Sequence, residues 1–187
     1  MASAPGDRGS KAVFLDRDGV LVIPEFRNGR SYAPRSLDDY ALYEEAGPCL
    51  SQLSAAGFVL VVATNQPDVG LGLMSRQVLE DMHRKLRDTL PVDAIEVCTH
   101  TAEQQCSCRK PKPGMLIQAA ERLGIDLARS FMVGDRASDI AAGAAAGCRT
   151  AFLDLSYVAE TPPERPDFRA TSLGTITDWI LSQEAMK

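Results

Sequence analysis

The chain has 187 residues, of which 45% are hydrophobic and 24% are charged, and its formal net charge is −5. This composition is ordinary for a globular protein, and the acidic balance argues against a nucleic-acid or anionic membrane surface. The longest apolar run, Phe58 to Ala63, is far too short to span a bilayer. Residues 1–10 contain no apolar segment of the signal-peptide type. We therefore expect a flexible tail there, one domain over residues 11–187, and a cytoplasmic monomer without membrane or nucleic-acid partners.

Five short apolar runs typical of β-strands alternate with helical patterns along the chain. The predicted strands are Ala12–Asp16, Phe58–Thr64, Ala94–Cys98, Phe131–Asp135 and Thr150–Leu153. The helical patterns are Leu50, Leu53 and Ala56 before Gly57; Leu79, Met82, Leu86 and Leu90 after Ser75; Leu116, Ala119, Ala120 and Leu123 before Gly124; the small residues 141–147; and Leu173, Ile176, Trp179 and Ile180 after Ser172. This alternation predicts an α/β fold with a mostly parallel central sheet, a Rossmann-like three-layer sandwich.

Two segments show neither the strand pattern nor the helical pattern and are predicted to be loops. Residues 24–40 are polar and contain three arginines, and residues 156–170 contain three prolines. The first segment directly follows the first predicted strand, so it could overhang a site at the end of that strand. The alternative is an ordinary solvated surface loop.

The first predicted strand ends in two carboxylates, Asp16 and Asp18, followed by Gly19. Side chains alternate along a strand, so both carboxylates would share a face if the strand continued. A hard cation such as Mg²⁺ would relieve this concentration of negative charge, and an aspartate can also act as a nucleophile toward phosphorus. The alternative is a strand that simply ends in a polar turn.

Polar groups also follow later strands. Ligands of open α/β sheets bind outside the carboxyl ends of the strands, so these groups are expected to converge with Asp16 and Asp18. Hydroxyl and amide groups could bind a phosphate, cations suit an anionic ligand, and a further pair of carboxylates could bind a metal. In chain order the candidates are Thr64, Asn65 and Gln66; Arg109 and Lys110; and Asp135, Arg136 and Asp139.

The order and content of these four segments resemble the haloacid dehalogenase-like (HAD) phosphatase superfamily. The resemblance covers roughly residues 12–154 and rests on Asp16-Arg17-Asp18-Gly19-Val20, Thr64-Asn65-Gln66, Lys110 and Gly134-Asp135-Arg136-Ala137-Ser138-Asp139. It implies that Asp16 attacks phosphorus to form an aspartyl-phosphate and that Asp18 serves as general acid and base. It also implies an Mg²⁺ cofactor held by Asp16, Asp135 and the backbone carbonyl of Asp18.

The same resemblance implies roles for the remaining polar residues. Thr64, Asn65, Gln66 and Lys110 would bind the transferring phosphoryl group, and Asp139 would support the metal or orient a lysine. Arg109 and Arg136 are candidates for substrate contacts beyond the reacting phosphate. A non-catalytic phosphate-binding protein on the same fold is the alternative, but it would not need the Asp16 and Asp18 pair.

Three of the five cysteines cluster with a histidine, in the order Cys98, His100, Cys106 and Cys108. Three thiolates and one imidazole suit a tetrahedral structural zinc site; free thiols beside a coincidental histidine are the alternative. The spacing, followed by Arg109-Lys110-Pro111, resembles the zinc loop of D-glycero-D-manno-heptose 1,7-bisphosphate phosphatases and related histidinol-phosphate phosphatases. That resemblance implies a Zn²⁺ that braces the loop, no large cap domain, and a sugar phosphate as substrate. The two other cysteines, Cys49 and Cys148, are expected to be buried, and His83 is expected to lie on the surface.

Several departures from the family pattern lie where a substrate would bind. The segment between His100 and Cys106 is short, residues 24–40 form a longer insertion that contains Tyr32, and Pro67-Asp68 replaces the Ser-Gly of many relatives. These departures leave the sugar open. Histidinol phosphate is the alternative substrate, and a 3′-phosphorylated polynucleotide is disfavoured by the acidic charge and by the lack of a basic, aromatic-rich groove.

Overall fold

A computed structural model describes residues 9–27 and 29–185 of the chain. Its centre is a six-stranded sheet in which every neighbouring pair of strands is parallel. The sheet strands are β1 (Ala12–Leu15), β4 (Val59–Asn65), β5 (Ala94–Cys98), β6 (Phe131–Gly134), β7 (Arg149–Leu153) and β8 (Phe168–Ala170), in the spatial order β5-β4-β1-β6-β7-β8. The two remaining strands, β2 (Glu25–Arg27) and β3 (Arg30–Tyr32), form an antiparallel hairpin outside the sheet.

Three helix boundaries agree with the sequence analysis, whereas the helix predicted over residues 141–147 begins earlier, at Ala137. Ser75 caps the third helix by accepting the Val78 N–H at 3.2 Å, and the fourth and fifth helices end at Gly124 and Gly147, whose φ angles are +66° and +86°. The helices are α1 (Ala46–Ala55), α2 (Pro67–Gly70), α3 (Arg76–Thr89), α4 (Gly114–Leu123), α5 (Ala137–Ala146) and α6 (Leu173–Ala185).

Two apolar cores, one on each face of the sheet, produce the predicted three-layer sandwich. Alternate residues of β1 point to opposite faces: Leu15 packs with α1, α3 and α6, whereas Phe14 packs with α4. Helix α5 approaches the sheet very closely, because a Cβ on Gly143 would lie 2.5 Å from the Cβ of Met132. The small side chains of this helix therefore allow it to pack tightly on the sheet.

Both predicted loops contain short strands. The hairpin of β2 and β3 lies within residues 24–40, and β8 forms the last three residues of the segment 156–170, so the prediction of unbroken loops is wrong there. Neither element has a strong sequence signal, because each strand has three residues and the hairpin alternates little between apolar and polar side chains. The predicted tail over residues 1–10 falls mostly on residues 1–8, which lie outside the described part.

The prediction that His83 lies on the surface is wrong. His83 is only 3% exposed and packs on the inner side of α3, where its Nε2 lies 3.5 Å from Nη1 of the buried Arg17. Burial and the charges of Arg17 and Arg87 lower the pKa of His83 to about 3, so the imidazole is neutral. Cys49 and Cys148 are buried as predicted. In the described ranges, no helix has both the length and the apolar character that crossing a membrane requires.

Candidate active site

The central strand of the sheet ends at the two predicted catalytic carboxylates. Strand β1 lies between β4 and β6, and Asp16 and Asp18 follow its last residue, Leu15. Gly19 then adopts a φ of +94°, which glycine tolerates because it has no Cβ. A Cβ at this position would lie 2.0 Å from Oδ2 of Asp135. Glycine is therefore needed both to turn the chain and to admit the carboxylate of Asp135.

Lys110 is buried beside the proposed nucleophile. Its Nζ lies 2.9 Å from Oδ1 of Asp16 and 2.7 Å from Oδ1 of Asp139, and it donates to the carbonyl of Ala63 at 2.6 Å. Asn65 holds the backbone of the same residue, because its Nδ2 donates to the Lys110 carbonyl and its Oδ1 accepts the Lys110 N–H, each at 3.1 Å. The backbone and the ammonium group of Lys110 are therefore both held by residues of β4.

Among the buried charged groups at this end of the sheet, the carboxylates of Asp16, Asp135 and Asp139 outnumber the cations of Lys110 and Arg17. Burial opposes the charge of Lys110, but Asp139 and Asp16 outweigh it and raise the pKa of the ammonium above its ordinary value. Burial raises the pKa of Asp139 to about 6, although the charge of Lys110 favours the ionised carboxylate. Burial, together with the charges of Asp16 and Asp139, raises the pKa of Asp135 well above its ordinary range. A divalent cation would relieve this excess of negative charge.

Both carboxylate oxygens of Asp18 accept hydrogen bonds from neighbouring side chains. The wholly buried Arg17 donates from Nε to Oδ1 at 3.1 Å and from Nη2 to Oδ2 at 3.0 Å. Gln66 donates from Nε2 to Oδ2 of Asp18 at 2.6 Å and to Oγ1 of Thr64 at 2.8 Å. Burial and the nearby Asp16 raise the pKa of Asp18 despite the charge of Arg17. This environment orients the carboxyl group and favours its protonated form, as a general acid requires.

Three carboxylates could share a cation. Oxygens of Asp16, Asp135 and Asp139 lie within 4.8 Å of one another. Asp139 is already engaged at both oxygens, by Lys110 and by the backbone N–H of Arg136 at 3.0 Å, so it orients the lysine. Asp135 Oδ1, in contrast, is buried and has no hydrogen-bond partner among the described residues. A buried, unpartnered carboxylate oxygen beside Asp16 fits Mg²⁺, which is bound by oxygen ligands.

A cleft of about 590 Å³ opens above these carboxylates. Its rim includes the hairpin of β2 and β3, which Arg136 fastens by donating from Nη2 to the carbonyl and the hydroxyl of Ser31, each at 2.6 Å. Thr64 is buried and is not among the lining residues. The lining side chains that could contact a substrate are Arg30, Tyr32, Asn65, Gln66, Arg109, Lys110 and Arg136.

The predicted cysteine and histidine cluster lies beside the cleft. The three sulfurs are 3.2, 3.4 and 3.6 Å apart, and Nδ1 of His100 lies 3.5 Å from Cys98 Sγ and 3.3 Å from Cys108 Sγ. Tetrahedral zinc with Zn–S bonds of about 2.3 Å would set the sulfurs about 3.8 Å apart, so the three sulfurs lie about 0.2–0.6 Å closer together than zinc would place them. Arg109 donates from Nη1 to the His100 carbonyl at 3.2 Å, which ties a cation of the cleft to the cluster.

Comparisons with known proteins identify the family. A HAD-hydrolase-like family model matches residues 107–176. D-glycero-β-D-manno-heptose-1,7-bisphosphate 7-phosphatase of Haemophilus ducreyi is 39% identical over 157 residues, which cover 78% of this chain and 83% of the relative. The chain belongs to the heptose-bisphosphate phosphatase family. The enzyme of the same name from Pasteurella multocida is 40% identical over 76% of this chain and 80% of its own.

Solved structures of the heptose-bisphosphate phosphatase family share the fold. A crystal structure of D,D-heptose 1,7-bisphosphate phosphatase from B. bronchiseptica, complexed with magnesium and phosphate, matches with a TM-score of 0.79. The match has 29% sequence identity and covers 92% of this chain and 99% of the other. The corresponding enzyme from Burkholderia thailandensis matches with a TM-score of 0.64 at 29% identity. As a member of this family, the chain is a phosphatase, a phosphoric monoester hydrolase.

Two residues of this family member escaped the sequence analysis. Arg17 stands between Asp16 and Asp18, but nothing in the sequence indicates that its side chain folds back onto Asp18. Tyr157 lies in a segment predicted to be a loop, yet its hydroxyl donates to Asp135 Oδ2 at 2.6 Å. Gln66, which was expected to bind phosphate, lines the cleft and donates from its amide to Asp18 and Thr64. These side-chain contacts leave no periodicity that a sequence pattern could reveal.

Proposed function

We propose that this chain removes the 7-phosphate of D-glycero-β-D-manno-heptose 1,7-bisphosphate through an aspartyl-phosphate on Asp16. The observation that carries the proposal is the pairing of a lysine-bound carboxylate, Asp16, with a separately oriented acidic group, Asp18, at the bottom of a cation-lined cleft. A phosphate-binding module has no use for this pair, whereas a two-step phosphatase needs both members. The names and lengths of the relatives support the choice of substrate.

In the first step, a carboxylate oxygen of Asp16 attacks phosphorus in line with the leaving oxygen. Lys110 and the Asn65 side chain lie beside Asp16 and can contact the equatorial oxygens of the transferring phosphoryl group. When bound, Mg²⁺ supplies charge neutralisation between the anionic nucleophile and the anionic substrate. Asp16 and Asp135 are the side chains that would hold it, and the Asp18 backbone carbonyl is a further candidate.

Asp18 carries the proton in both steps. Its carboxyl group, whose pKa burial raises, would donate a proton to the sugar oxygen as the P–O bond breaks. The resulting carboxylate then removes a proton from the water that attacks the aspartyl-phosphate, which restores both aspartates. Arg17 and Gln66 fix the carboxyl group throughout the cycle, so the group does not need to be reoriented between the two steps.

Cations in the cleft suit the second phosphate of a bisphosphate. Arg109 and Arg30 line the cleft, whereas Arg136 is engaged by the Ser31 oxygens and lies 3.4 Å from Glu160. Arginine binds phosphate through a planar fork of donors. We propose that Arg109 contributes most to binding of the distal phosphate, because its other contact is the backbone carbonyl of His100.

A substrate panel tests the proposed function. We expect phosphate release to be fastest with D-glycero-β-D-manno-heptose 1,7-bisphosphate, and release should require added Mg²⁺. The other members of the panel are the α-anomer, histidinol phosphate and a 3′-phosphorylated oligonucleotide. Turnover of histidinol phosphate above that of both heptose anomers would replace the proposed substrate with the alternative. Full activity in Mg²⁺-free buffer would contradict the metal assignment.

We also propose that Cys98, His100, Cys106 and Cys108 bind one structural zinc ion. Four ligands close a tetrahedral site and leave no position for a catalytic water. The loop that they form holds Arg109 through the His100 carbonyl, whereas Lys110 is fixed by Asn65 and Ala63 on the sheet. Loss of zinc should therefore displace Arg109 much more than Lys110.

Replacing Cys106 with Ser is expected to lower the zinc content from about one ion per chain. The expected kinetic result is a rise in KM for the bisphosphate that exceeds the fall in kcat, with up to about a 10²-fold loss of kcat/KM. Elemental analysis and steady-state kinetics check this on protein purified without chelators. Cys49→Ser is the control, because Cys49 is buried on the other side of the sheet and should leave the zinc content unchanged. Wild-type protein that is fully active without zinc would contradict the assignment.

A further inference from the structure

Tyr157 reaches the metal-binding end of the sheet from a distant segment of the chain. It lies in the long connection between β7 and β8, and its hydroxyl donates to Oδ2 of Asp135 at 2.6 Å. Burial and the Asp135 carboxylate raise the pKa of Tyr157, so the phenol keeps its proton and remains a donor. The two residues line a cavity of about 230 Å³ that adjoins the cleft.

The backbone before Tyr157 is held in an unusual conformation. Ser156 has a φ of +57°, which costs a non-glycine residue about 1–2 kcal/mol. Asp154 stabilises this turn by accepting the Ser156 N–H at 3.0 Å, and Arg169 of β8 pairs with Asp154 at 2.7 Å. A strained residue that neighbouring groups hold in place marks a segment with a specific conformational task. Here the turn directs the next side chain, Tyr157, toward Asp135.

The hairpin of β2 and β3 packs against the other side of Tyr157. The rings of Phe26 and Tyr157 lie 5.6 Å apart with an interplanar angle of 55°. The backbone beyond Tyr157 is fastened to the same hairpin, because the Ala159 N–H donates to the Gly29 carbonyl at 3.3 Å. Tyr157 is thus fixed by its own loop on one side and by the hairpin on the other, so its hydroxyl has a defined position.

The hydrogen bond from Tyr157 leaves the two carboxylate oxygens of Asp135 in different environments. Oδ2 accepts the Tyr157 hydroxyl, whereas Oδ1 is buried and has no partner among the residues that the structure describes. Gly19 provides the space for this pair, since a Cβ there would lie 2.0 Å from Oδ2 and 2.9 Å from the Tyr157 hydroxyl oxygen. The carboxylate therefore cannot exchange its two oxygens without breaking a hydrogen bond.

We propose that Tyr157 is a positioning residue that orients Asp135 as a metal ligand. Its hydroxyl holds Oδ2, which leaves the buried Oδ1, without a partner among the described residues, available to a divalent cation. The inference rests on the proposed function, because it assumes that Asp16 and Asp135 bind Mg²⁺. Hydrogen-bond partners of metal ligands fix ligand orientation, and their loss typically costs about 10–100-fold in metal affinity or activity.

Replacing Tyr157 with Phe is expected to weaken Mg²⁺ binding by about 10–100-fold while leaving kcat at saturating Mg²⁺ close to that of the wild type. Phenylalanine keeps the ring contact with Phe26 and removes only the hydroxyl. Mg²⁺ affinity is measured without turnover, from the rise of the melting temperature as Mg²⁺ is added to protein dialysed free of it without chelator. The Mg²⁺ concentration that gives half-maximal phosphatase activity provides a second value.

Tyr40→Phe is the matched control. The Tyr40 hydroxyl is also buried but has no hydrogen-bond partner in the described part of the chain, so its removal should leave Mg²⁺ affinity unchanged. An unchanged or higher Mg²⁺ affinity in Tyr157→Phe would overturn the inference; a higher one would mean that the hydroxyl competes with the cation. If wild-type protein neither binds Mg²⁺ nor releases phosphate, the proposed function fails instead, so the two failures are distinguishable.

Discussion

Replacing Asp16 with Asn is expected to abolish phosphate release, with a loss of at least about 10⁴-fold in kcat, while the fold remains intact. A neutral amide cannot attack phosphorus, so the aspartyl-phosphate cannot form. The fold should survive, because the side-chain oxygen can still accept the Arg17 N–H, which donates to Asp16 Oδ1 at 2.8 Å, and Lys110 keeps Asp139 as a partner. Measurement of phosphate release tests the loss of activity. Circular dichroism and the melting temperature test whether the fold is intact.

Asp81→Asn is the matched control for the chemical change. The Asp81 carboxylate pairs with Arg84 on the outer side of α3, at 2.8 Å, and does not line the cleft. This variant should keep wild-type turnover. Intact mass must show that the amide of the Asp16→Asn protein has not hydrolysed back to the acid. Turnover near the wild-type rate by protein verified in this way would refute nucleophilic catalysis by Asp16.

Sequence patterns predict the sheet and its catalytic edge because both depend on local properties. The strands are apolar on both faces, as parallel strands buried between helices must be. The polar residues that follow β1, β4 and β6 then meet at one edge, whatever the details of the helices. This logic made Asp16, Asp18 and Asp135 candidates, and the family resemblance supplied their roles. The structure places Asp16 beside Lys110 and within reach of Asp135, and Asp18 lines the same cleft.

The supporting residues depend on contacts between distant segments and escape such patterns. His83 is one residue from the apolar Met82, so α3 turns both toward the sheet, but its burial is acceptable only because Arg17 faces it. Tyr157 is 22 residues from its partner Asp135 and follows an irregular turn. The local sequence around each residue does not indicate the contact of His83 with Arg17 or the contact of Tyr157 with Asp135. The same limit applies to the hairpin, whose position is set by Arg136 and Ser31.

Lys110 has two tasks that a single substitution removes together. Its ammonium pairs with the buried Asp139 at 2.7 Å, and in the proposed mechanism it would also contact the phosphoryl group beside Asp16. Replacing Lys110 with Met is therefore expected to lower kcat by about 10²–10³-fold through the lost charge stabilisation. It should also lower the free energy of unfolding by roughly 3–5 kcal/mol, because one carboxylate of a buried ion pair is left without its partner.

A double variant separates the two tasks. In Lys110→Met with Asp139→Asn, the amide oxygen at position 139 can still accept the Arg136 N–H, but the unpaired buried charge is gone. We expect denaturant titration to show that much of the lost stability returns, whereas phosphate release stays as low as in the single variant. Lys85→Met is the control for losing a lysine, because Lys85 Nζ contacts the Tyr40 carbonyl and ring and, like Tyr40, is not among the residues that line the described cleft. Recovery of activity in the double variant would show that Lys110 acts only by balancing Asp139, and that the phosphoryl group does not depend on its charge.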